Sequence, residues 1–251
     1  MLKLIVSGFN GRMGQVVYRL ASKHPAFTPV AGFTRHPASS CPLPLFAQPE
    51  GYKDDADVVV DFSNHDFLSP LLSYCLSRRL PLVLASTGYT EAQQEQIEAA
   101  AEKIPVFQSA NMSVGINALI ALVKQASAAL GNTWDIEIVE RHHNQKLDAP
   151  SGTALMLADA AKSALPFEAE YVYERQSVRQ PRAKKEIGIS AVRGGTIVGD
   201  HEVMFAGHNE VIELTHRAQS REVFASGALE AALFLSGMPA GLYSMQDLLV
   251  R

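Results

Sequence analysis

The chain opens on a short apolar run, Leu2-Lys3-Leu4-Ile5-Val6-Ser7, which passes directly into Gly8-Phe9-Asn10-Gly11-Arg12-Met13-Gly14. Behind the glycines, Met13, Val16, Val17, Leu20 and Ala21 recur at helical spacing. A buried strand, a glycine turn and an amphipathic helix in that order begin a βαβ unit, and hence a parallel sheet. The second strand of that unit, Thr28 to Phe33, follows at the required distance. The glycine spacing is G-x-x-G-x-x-G rather than G-x-G-x-x-G, with Asn10 in the usual middle position. It still puts Gly8 at the tight turn, Gly11 at the helix start and Gly14 inside the first turn. A pyrophosphate needs backbone access and a helix N-terminus at those places. With the strand and helix context met, dinucleotide binding is favoured over a tight turn that holds no ligand.

The end of the second strand bears on which dinucleotide. An acidic residue there would bind the ribose hydroxyls of NAD, and a nearby arginine accommodates the extra phosphate of NADP. Thr34-Arg35-His36 has no acid. Arg35 therefore points to NADPH as the preferred cofactor, with Arg12 as helper and NADH as the alternative.

Strands and helices go on alternating. Residues 57–62, 81–85 and 104–108 read as strands, and residues 67–76 and 91–101 as helices, while Pro37 to Tyr52 reads as an irregular loop. Ligands sit at the carboxyl ends of such parallel strands, where this chain has Ala85-Ser86-Thr87 and Ser109-Ala110-Asn111-Met112. A long apolar helix, Val114 to Leu130, marks a change of pattern. After it come a strand, a helix over Thr153 to Ala164, and a polar stretch, Tyr171 to Lys185, that reads as exposed and flexible. Three strand-like runs follow (186–192, 202–206 and 210–216), separated by Gly194-Gly195 and by Gly207-His208-Asn209. Short turns between consecutive strands indicate an antiparallel or mixed sheet. A last helix, Glu222 to Ser236, returns the chain to the first domain. The expected fold is thus α/β: a Rossmann-like dinucleotide-binding domain over 1–113 plus 222–251, and a second α+β domain over 114–221 on a mixed or antiparallel sheet.

Between strand and helix in the second domain lies the densest chemistry of the chain, Glu140-Arg141-His142-His143-Asn144-Gln145-Lys146-Leu147-Asp148-Ala149-Pro150-Ser151-Gly152-Thr153-Ala154. Histidine titrates near neutral pH and can donate or accept a proton. Lys146 can deliver a proton or hold an anion. Ser151 or Thr153 caps the helix, and the N–H groups of Gly152 and Thr153 open it, where an anion is favoured. Singly, each residue fits an ordinary surface turn. Together they describe a pocket for a small carboxylate beside acid/base groups. Zinc is a weaker reading, because adjacent histidines do not form a helical i, i+4 pair and no Cys pair accompanies them.

Net charge is −4, which disfavours a general nucleic-acid binder. No apolar run approaches transmembrane length, and no secretory signal is visible, so no membrane partner and a cytoplasmic location are expected. Cys41 and Cys75 lack metal or redox spacing and are expected to be reduced thiols. A nicotinamide cofactor on one domain and an anion pocket with proton chemistry on the other imply a reductase or dehydrogenase for a small carboxylated substrate.

The stretch from Val139 to Ala154 resembles the signature E-x-H-H-x-x-K-x-D-A-P-S-G-T-A of the 4-hydroxy-tetrahydrodipicolinate (dihydrodipicolinate) reductases of bacterial and plant lysine synthesis. The resemblance covers nearly the whole chain, through Gly11-Arg12-Met13-Gly14, Asp61-Phe62-Ser63, Ser86-Thr87-Gly88, Asn111 to Gly115, Arg193-Gly194-Gly195, Val198 to His201 and Thr215 to Ala218. It implies that His142 is the acid/base residue and Lys146 the proton donor. It also implies that His143 binds substrate and that Gly152-Thr153 holds a carboxylate of a cyclic dicarboxylate. The reaction implied is NAD(P)H-dependent reduction to tetrahydrodipicolinate with loss of water, by a homotetramer built through the second domain's sheet. The expected cofactor contacts are Gly8, Asn10, Gly11, Arg12 and Met13 in the turn, Thr34 and Arg35 after the second strand, and the two later strand ends. Two departures stand out: Thr34 replaces a frequent acid, and Ala85 replaces the first glycine of the family's G-T-T-G loop. Two rivals can be set against this reading. One is another two-domain nicotinamide enzyme, such as a semialdehyde or homoserine dehydrogenase; an acylating semialdehyde dehydrogenase would need a catalytic cysteine, which neither Cys41 nor Cys75 suits. A catalytically silent NADP-binding sensor would have no need of His142, His143 and Lys146 together.

Overall fold

The computed structural model describes residues 1–37, 41–131 and 133–250. The chain divides into two compact units, Met1–Val114 with Glu222–Arg251, and Gly115–Arg221.

In the first unit, β1 (Leu2–Ser7), β2 (Phe27–Phe33), β3 (Leu45–Phe46), β4 (Val58–Asp61), β5 (Leu82–Leu84), β6 (Pro105–Gln108) and β12 (Gly241–Tyr243) form one sheet in the order β12-β6-β5-β4-β1-β2-β3. Every pairing in it is parallel. Both faces are covered, which explains the near-continuous apolar runs. Leu4, Val6, Val58, Val60, Val83 and Phe107 face a core shared with α1 (Arg12–Ala21) and α6 (Glu222–Leu235). Ile5, Val59, Leu82, Leu84 and Val106 face the other core, with α2 (Leu68–Arg78) and α3 (Glu91–Ala101). Each such fully buried aliphatic side chain contributes roughly 1.5–3 kcal/mol.

The segment expected to be an irregular loop from Pro37 to Tyr52 is more ordered than that. Its residues 38–40 lie outside the described ones, but it contains β3 and a 3-10 turn at Pro49–Gly51. β3 is two residues long and gains its place only by pairing with Gly32 and Phe33 of β2, a tertiary contact with no local signal. β12 and α7 (Met245–Leu249) were likewise unanticipated.

In the second unit, β7 (Asp135–His142), β8 (Glu170–Val172), β9 (Glu186–Arg193), β10 (Gly199–Ala206) and β11 (Val211–Ala218) form a mixed sheet in the order β11-β10-β7-β9-β8. β7 is central, antiparallel to β10 and parallel to β9. One face packs under α4 (Val114–Leu130) and α5 (Gly152–Ala164), with Leu119, Val123, Leu157 and Ala158 against Ile136, Ile138, Val203 and Phe205. The polar stretch expected to be flexible begins with β8, and two of its arginines are fixed by ion pairs. Arg175 reaches Glu137 and Glu186, both at 2.6 Å, and Arg182 reaches Asp135 at 2.7 Å and Glu137 at 3.0 Å.

Candidate active site

Along β7 the residues Ile136, Ile138, Glu140 and His142 share the buried face. The first two belong to the apolar core; the last two turn that same file into a polar site at the strand's end. Glu140 is 0% exposed. Its Oε2 lies 2.6 Å from His142 Nδ1. Arg193, on neighbouring β9, donates to both carboxylate oxygens at 2.8 Å. The Ser151 N–H donates to Oε1 at 3.0 Å. Burial alone would raise the Glu140 carboxyl; the hydrogen bonds from Arg193, His142 and Ser151 outweigh it and hold the group below its ordinary value, hence ionised.

Arg193 also donates to the Asp148 carbonyl at 2.6 Å, and Gly194 N–H to the His142 carbonyl at 2.9 Å. These contacts fix the His-His loop to the β9 turn. Within the loop Lys146 Nζ donates to Asp148 Oδ1 at 2.8 Å. That hydrogen bond, the first cause, lowers the Asp148 carboxyl. His143 is half-buried and its carbonyl accepts from Lys146 N–H at 3.2 Å.

Of the two candidate caps, Ser151 is the one used: its Oγ accepts from Ala154 N–H at 3.2 Å. Gly152 and Thr153 are the first two residues of α5, and a Cβ on Gly152 would meet nothing within 4 Å. The helix therefore begins at open space, as an anion site there requires.

From β10, His201 shares a 3.0 Å hydrogen bond with Ser151 Oγ and meets the His142 ring edge-on at 5.2 Å between centroids. Burial, and then the charge of His142, press the His201 pKa down to about 4, so its imidazole is neutral. One register position along, Gly199 lies opposite His142. A Cβ on Gly199 would stand 3.0 Å from His142 Nε2. The structure thus gathers His142, Lys146, the α5 start and an ionised Glu140–Arg193 pair at one end of the sheet. Arg193 and His201 were visible in the sequence only as parts of resembling motifs, and Glu140 had no role there. Its spacing of two from His142 on a strand is the signal that could have found it.

In the first unit, Gly8 has φ +76°, and a Cβ there would lie 2.5 Å from the Phe62 carbonyl oxygen. Only glycine fits. Gly11 is the N-cap of α1. Gly8, Gly11, Thr34, Arg35, Ser63 and Asn64 are among the residues lining a cavity of about 320 Å³. Arg35 is exposed there, 3.9 Å from Asp66. Asn10 instead turns its amide to the His36 carbonyl at 2.8 Å and lines a neighbouring hollow. Arg12 is exposed and Met13 half-buried, both in the first turn of α1. Ala85, Ser86 and Thr87 follow β5. Ser86 Oγ donates to the buried Asp61 at 2.8 Å and lies 3.2 Å from the carbonyl of the cavity residue Ser63. Ser109, Ala110, Asn111 and Met112 follow β6; Ser109 N–H donates to the Leu84 carbonyl at 3.3 Å, and Met112 is buried in the core. These segments share the carboxyl edge of the sheet. The cavity itself is formed by the turn, the end of β2 and the end of β4.

Comparison with known proteins matches both parts of the chain to one family: a model of the dihydrodipicolinate reductase N-terminus over residues 2–112, and one of its C-terminus over residues 115–249. The chain belongs to the dihydrodipicolinate reductase family. A 4-hydroxy-tetrahydrodipicolinate reductase of Caldanaerobacter subterraneus subsp. tengcongensis is 52% identical over 253 residues, spanning 100% of this chain and 99% of that one. One of Clostridium tetani is 47% identical over 249 residues, spanning 99% and 97%. Among solved structures, dipicolinate-bound dihydrodipicolinate reductase from Paenisporosarcina sp. TG-14 superposes with TM-score 0.82 at 24% identity over 97% of each chain, a likeness of fold. The fold also resembles a C. glutamicum DAP dehydrogenase in complex with DAP, at TM-score 0.56 and 14% identity over 100% of this chain and 98% of that one.

Proposed function

We infer that this protein is a 4-hydroxy-tetrahydrodipicolinate reductase, an NAD(P)H-dependent oxidoreductase of the diaminopimelate route to lysine. The observation that carries the reading is the cluster at the end of β7. His142 is hydrogen-bonded to an ionised Glu140 at 2.6 Å, on the same loop as Lys146 and the open start of α5. In a member of this family, that cluster matches the proton chemistry and the carboxylate recognition that the reaction needs.

The cofactor is a pyridine nucleotide held by the first unit. The Gly8–Gly11 turn fits its pyrophosphate: the left-handed Gly8 and the Gly11 cap bring backbone and helix start to the cavity edge. NADPH is preferred, because Arg35 offers a cation at the cavity wall where Thr34 offers no carboxylate to the ribose. Arg12 assists from the first turn of α1. Ala85 to Thr87 and Ser109 to Met112 complete the cofactor contacts from the carboxyl ends of β5 and β6.

The second unit binds substrate. The N–H groups of Gly152 and Thr153, with the α5 dipole, hold one carboxylate of the cyclic dicarboxylate, and His143 contacts the substrate. The bound nicotinamide supplies a hydride to the ring. Lys146 or His142 protonates the adjacent position, and water is lost overall. The face of the mixed sheet turned away from α5, with Val192 and Val211 exposed on it, forms the contact through which four copies assemble. No helix among the described residues is long and apolar enough to cross a membrane. We place the enzyme in the cytoplasm.

The test is NADPH oxidation followed at the nicotinamide absorbance, with substrate generated fresh from pyruvate and aspartate semialdehyde, and NADH run in parallel. Substrate-dependent oxidation that Lys146→Ala abolishes is the expected result. No oxidation with either cofactor, from folded protein that still binds NADPH, would overturn the assignment in favour of a cofactor-binding sensor.

A further inference from the structure

Glu140 poses a question that the proposed roles do not answer. A carboxylate that is 0% exposed has been taken out of water at a cost that its partners must offset. It stands where the file Ile136, Ile138 would continue most simply with another aliphatic residue. Arg193 and the Ser151 N–H compensate the charge, but an apolar residue paired with an apolar replacement for Arg193 would hold the strands together at less cost. The remaining partner is the imidazole of His142. Its Nδ1 lies 2.6 Å from Oε2, the same oxygen that Arg193 grips from the other side.

We propose that Glu140 is the positioning residue of the site: by accepting the Nδ1–H of His142 it fixes that imidazole in one tautomer and leaves Nε2 as the sole ring nitrogen that exchanges a proton with substrate. The inference rests on the acid/base reading of His142 and deepens it. An ionised carboxylate has no hydrogen to give, so Nδ1 must carry the proton whether the ring is neutral or charged. Proton transfer is thereby confined to Nε2. Two features keep the carboxylate in that state. The Arg193 fork meets both oxygens in parallel, which fixes the plane of the group. The Ser151 N–H at 3.0 Å ties Oε1 to the start of α5, so the group that orients His142 also ties down the candidate carboxylate site.

The groups around His142 come from every neighbouring element. Glu140 shares β7, Arg193 reaches in from β9, His201 from β10, and Lys146 and Asp148 lie in the following loop; His216 on β11 stands beyond His201. Among them Glu140 is the anion in direct contact with the ring. In Glu140→Gln the side-chain amide can present an N–H to Nδ1, which admits the opposite tautomer. The amide can equally turn its oxygen to the ring, so it no longer dictates which ring nitrogen carries the proton.

The experiment pairs kinetics with ¹⁵N NMR of histidine-labelled protein, with the His142 signals assigned by their disappearance in His142→Gln. In the unaltered enzyme with the ring neutral, His142 should show a protonated Nδ1 and a bare Nε2. Glu140→Gln should lower kcat on the order of 10²- to 10⁴-fold with little change in KM. It should also mix or reverse the tautomers, which loss of packing alone would not do. A protonated Nε2 with a bare Nδ1 in the unaltered enzyme would overturn the proposal. So would an unchanged kcat in Glu140→Gln. If that variant does not fold, the spectrum of the unaltered enzyme decides alone. Full turnover in His142→Gln would sink the acid/base reading of His142, whereas the tautomer result would stand or fall by itself.

Discussion

Ser151 Oγ and His201 Nε2 lie 3.0 Å apart, joining the N-cap of α5 to β10 of the five-stranded sheet. The same hydroxyl accepts from Ala154 N–H at 3.2 Å. One side chain thus partners an orphan donor of the helix and one nitrogen, Nε2, of a buried imidazole. Ser151→Ala removes the cap, at about 1 kcal/mol, and strands the imidazole nitrogen, at roughly 1–3 kcal/mol. Urea unfolding should show a loss of about 2–4 kcal/mol. A loss below about 0.5 kcal/mol, the scale of ordinary surface changes, would mean that the two partners are replaced without cost.

His201 makes stability depend on pH. Its pKa is about 4 in the folded chain, chiefly through burial. The unfolded value is near 6.5. Between those values the unfolded chain binds a proton that the folded chain refuses. This contribution is therefore complete above pH 6.5, declines as pH falls through the window and is gone near pH 4. Its size is on the order of 3 kcal/mol. His216, lowered by burial, acts in the same direction from β11. Comparing unfolding free energies of the unaltered chain and His201→Gln at pH 7 and pH 4.5 isolates the effect. The variant should have the shallower dependence, and parallel curves would refute it.

Arg35 should govern cofactor choice. It is exposed at the cavity wall, and its carboxylate neighbour, Asp66, is 3.9 Å away, too far for a hydrogen bond that would compete with a phosphate. A charge-assisted contact to the 2′-phosphate contributes roughly 1.5–3 kcal/mol. Arg35→Ala should therefore raise the KM for NADPH about 10- to 100-fold and leave that for NADH within about 2-fold. Equal loss with both cofactors would place Arg35 in general cofactor binding instead.

These predictions draw on contacts that differ in how openly the sequence displays them. The Gly8 turn, the parallel sheet and the strand carrying Glu140 and His142 are written in local patterns of period two and three-and-a-half. Both histidines and Lys146 lie within five positions, so their proximity is covalent before it is structural. Arg193 and His201 reach the site only through the pairing of β9 and β10 with β7, across 53 residues for the Arg193–Glu140 contact. No local spacing encodes that register. β3 and β12 have two and three residues, too few for a period to be read, and exist because neighbouring strands offer them an edge. Asn10 shows the reverse case: it occupies a motif position but spends its amide on the His36 carbonyl.

Gly199 offers the most selective probe of His142. Its backbone is not left-handed, so alanine meets no conformational penalty there. The first atoms an added methyl would meet are those of the His142 ring: Nε2 at 3.0 Å and Cδ2 at 3.4 Å. The approach to Nε2 is tight, and the ring is held at its other edge by Glu140, so it can yield only by straining the 2.6 Å hydrogen bond. Gly199→Ala should therefore leave the melting temperature within a few degrees while lowering kcat by about 10- to 100-fold, the penalty expected for displacing an acid/base group by up to about 1 Å. Glycine would then be required at this position for the placement of Nε2. A variant with normal kcat would show that the ring shifts freely, and that the Glu140 contact tolerates more play than its length suggests. Measuring kcat and thermal unfolding on the same preparation separates a displaced imidazole, which lowers kcat alone, from a damaged sheet, which lowers both.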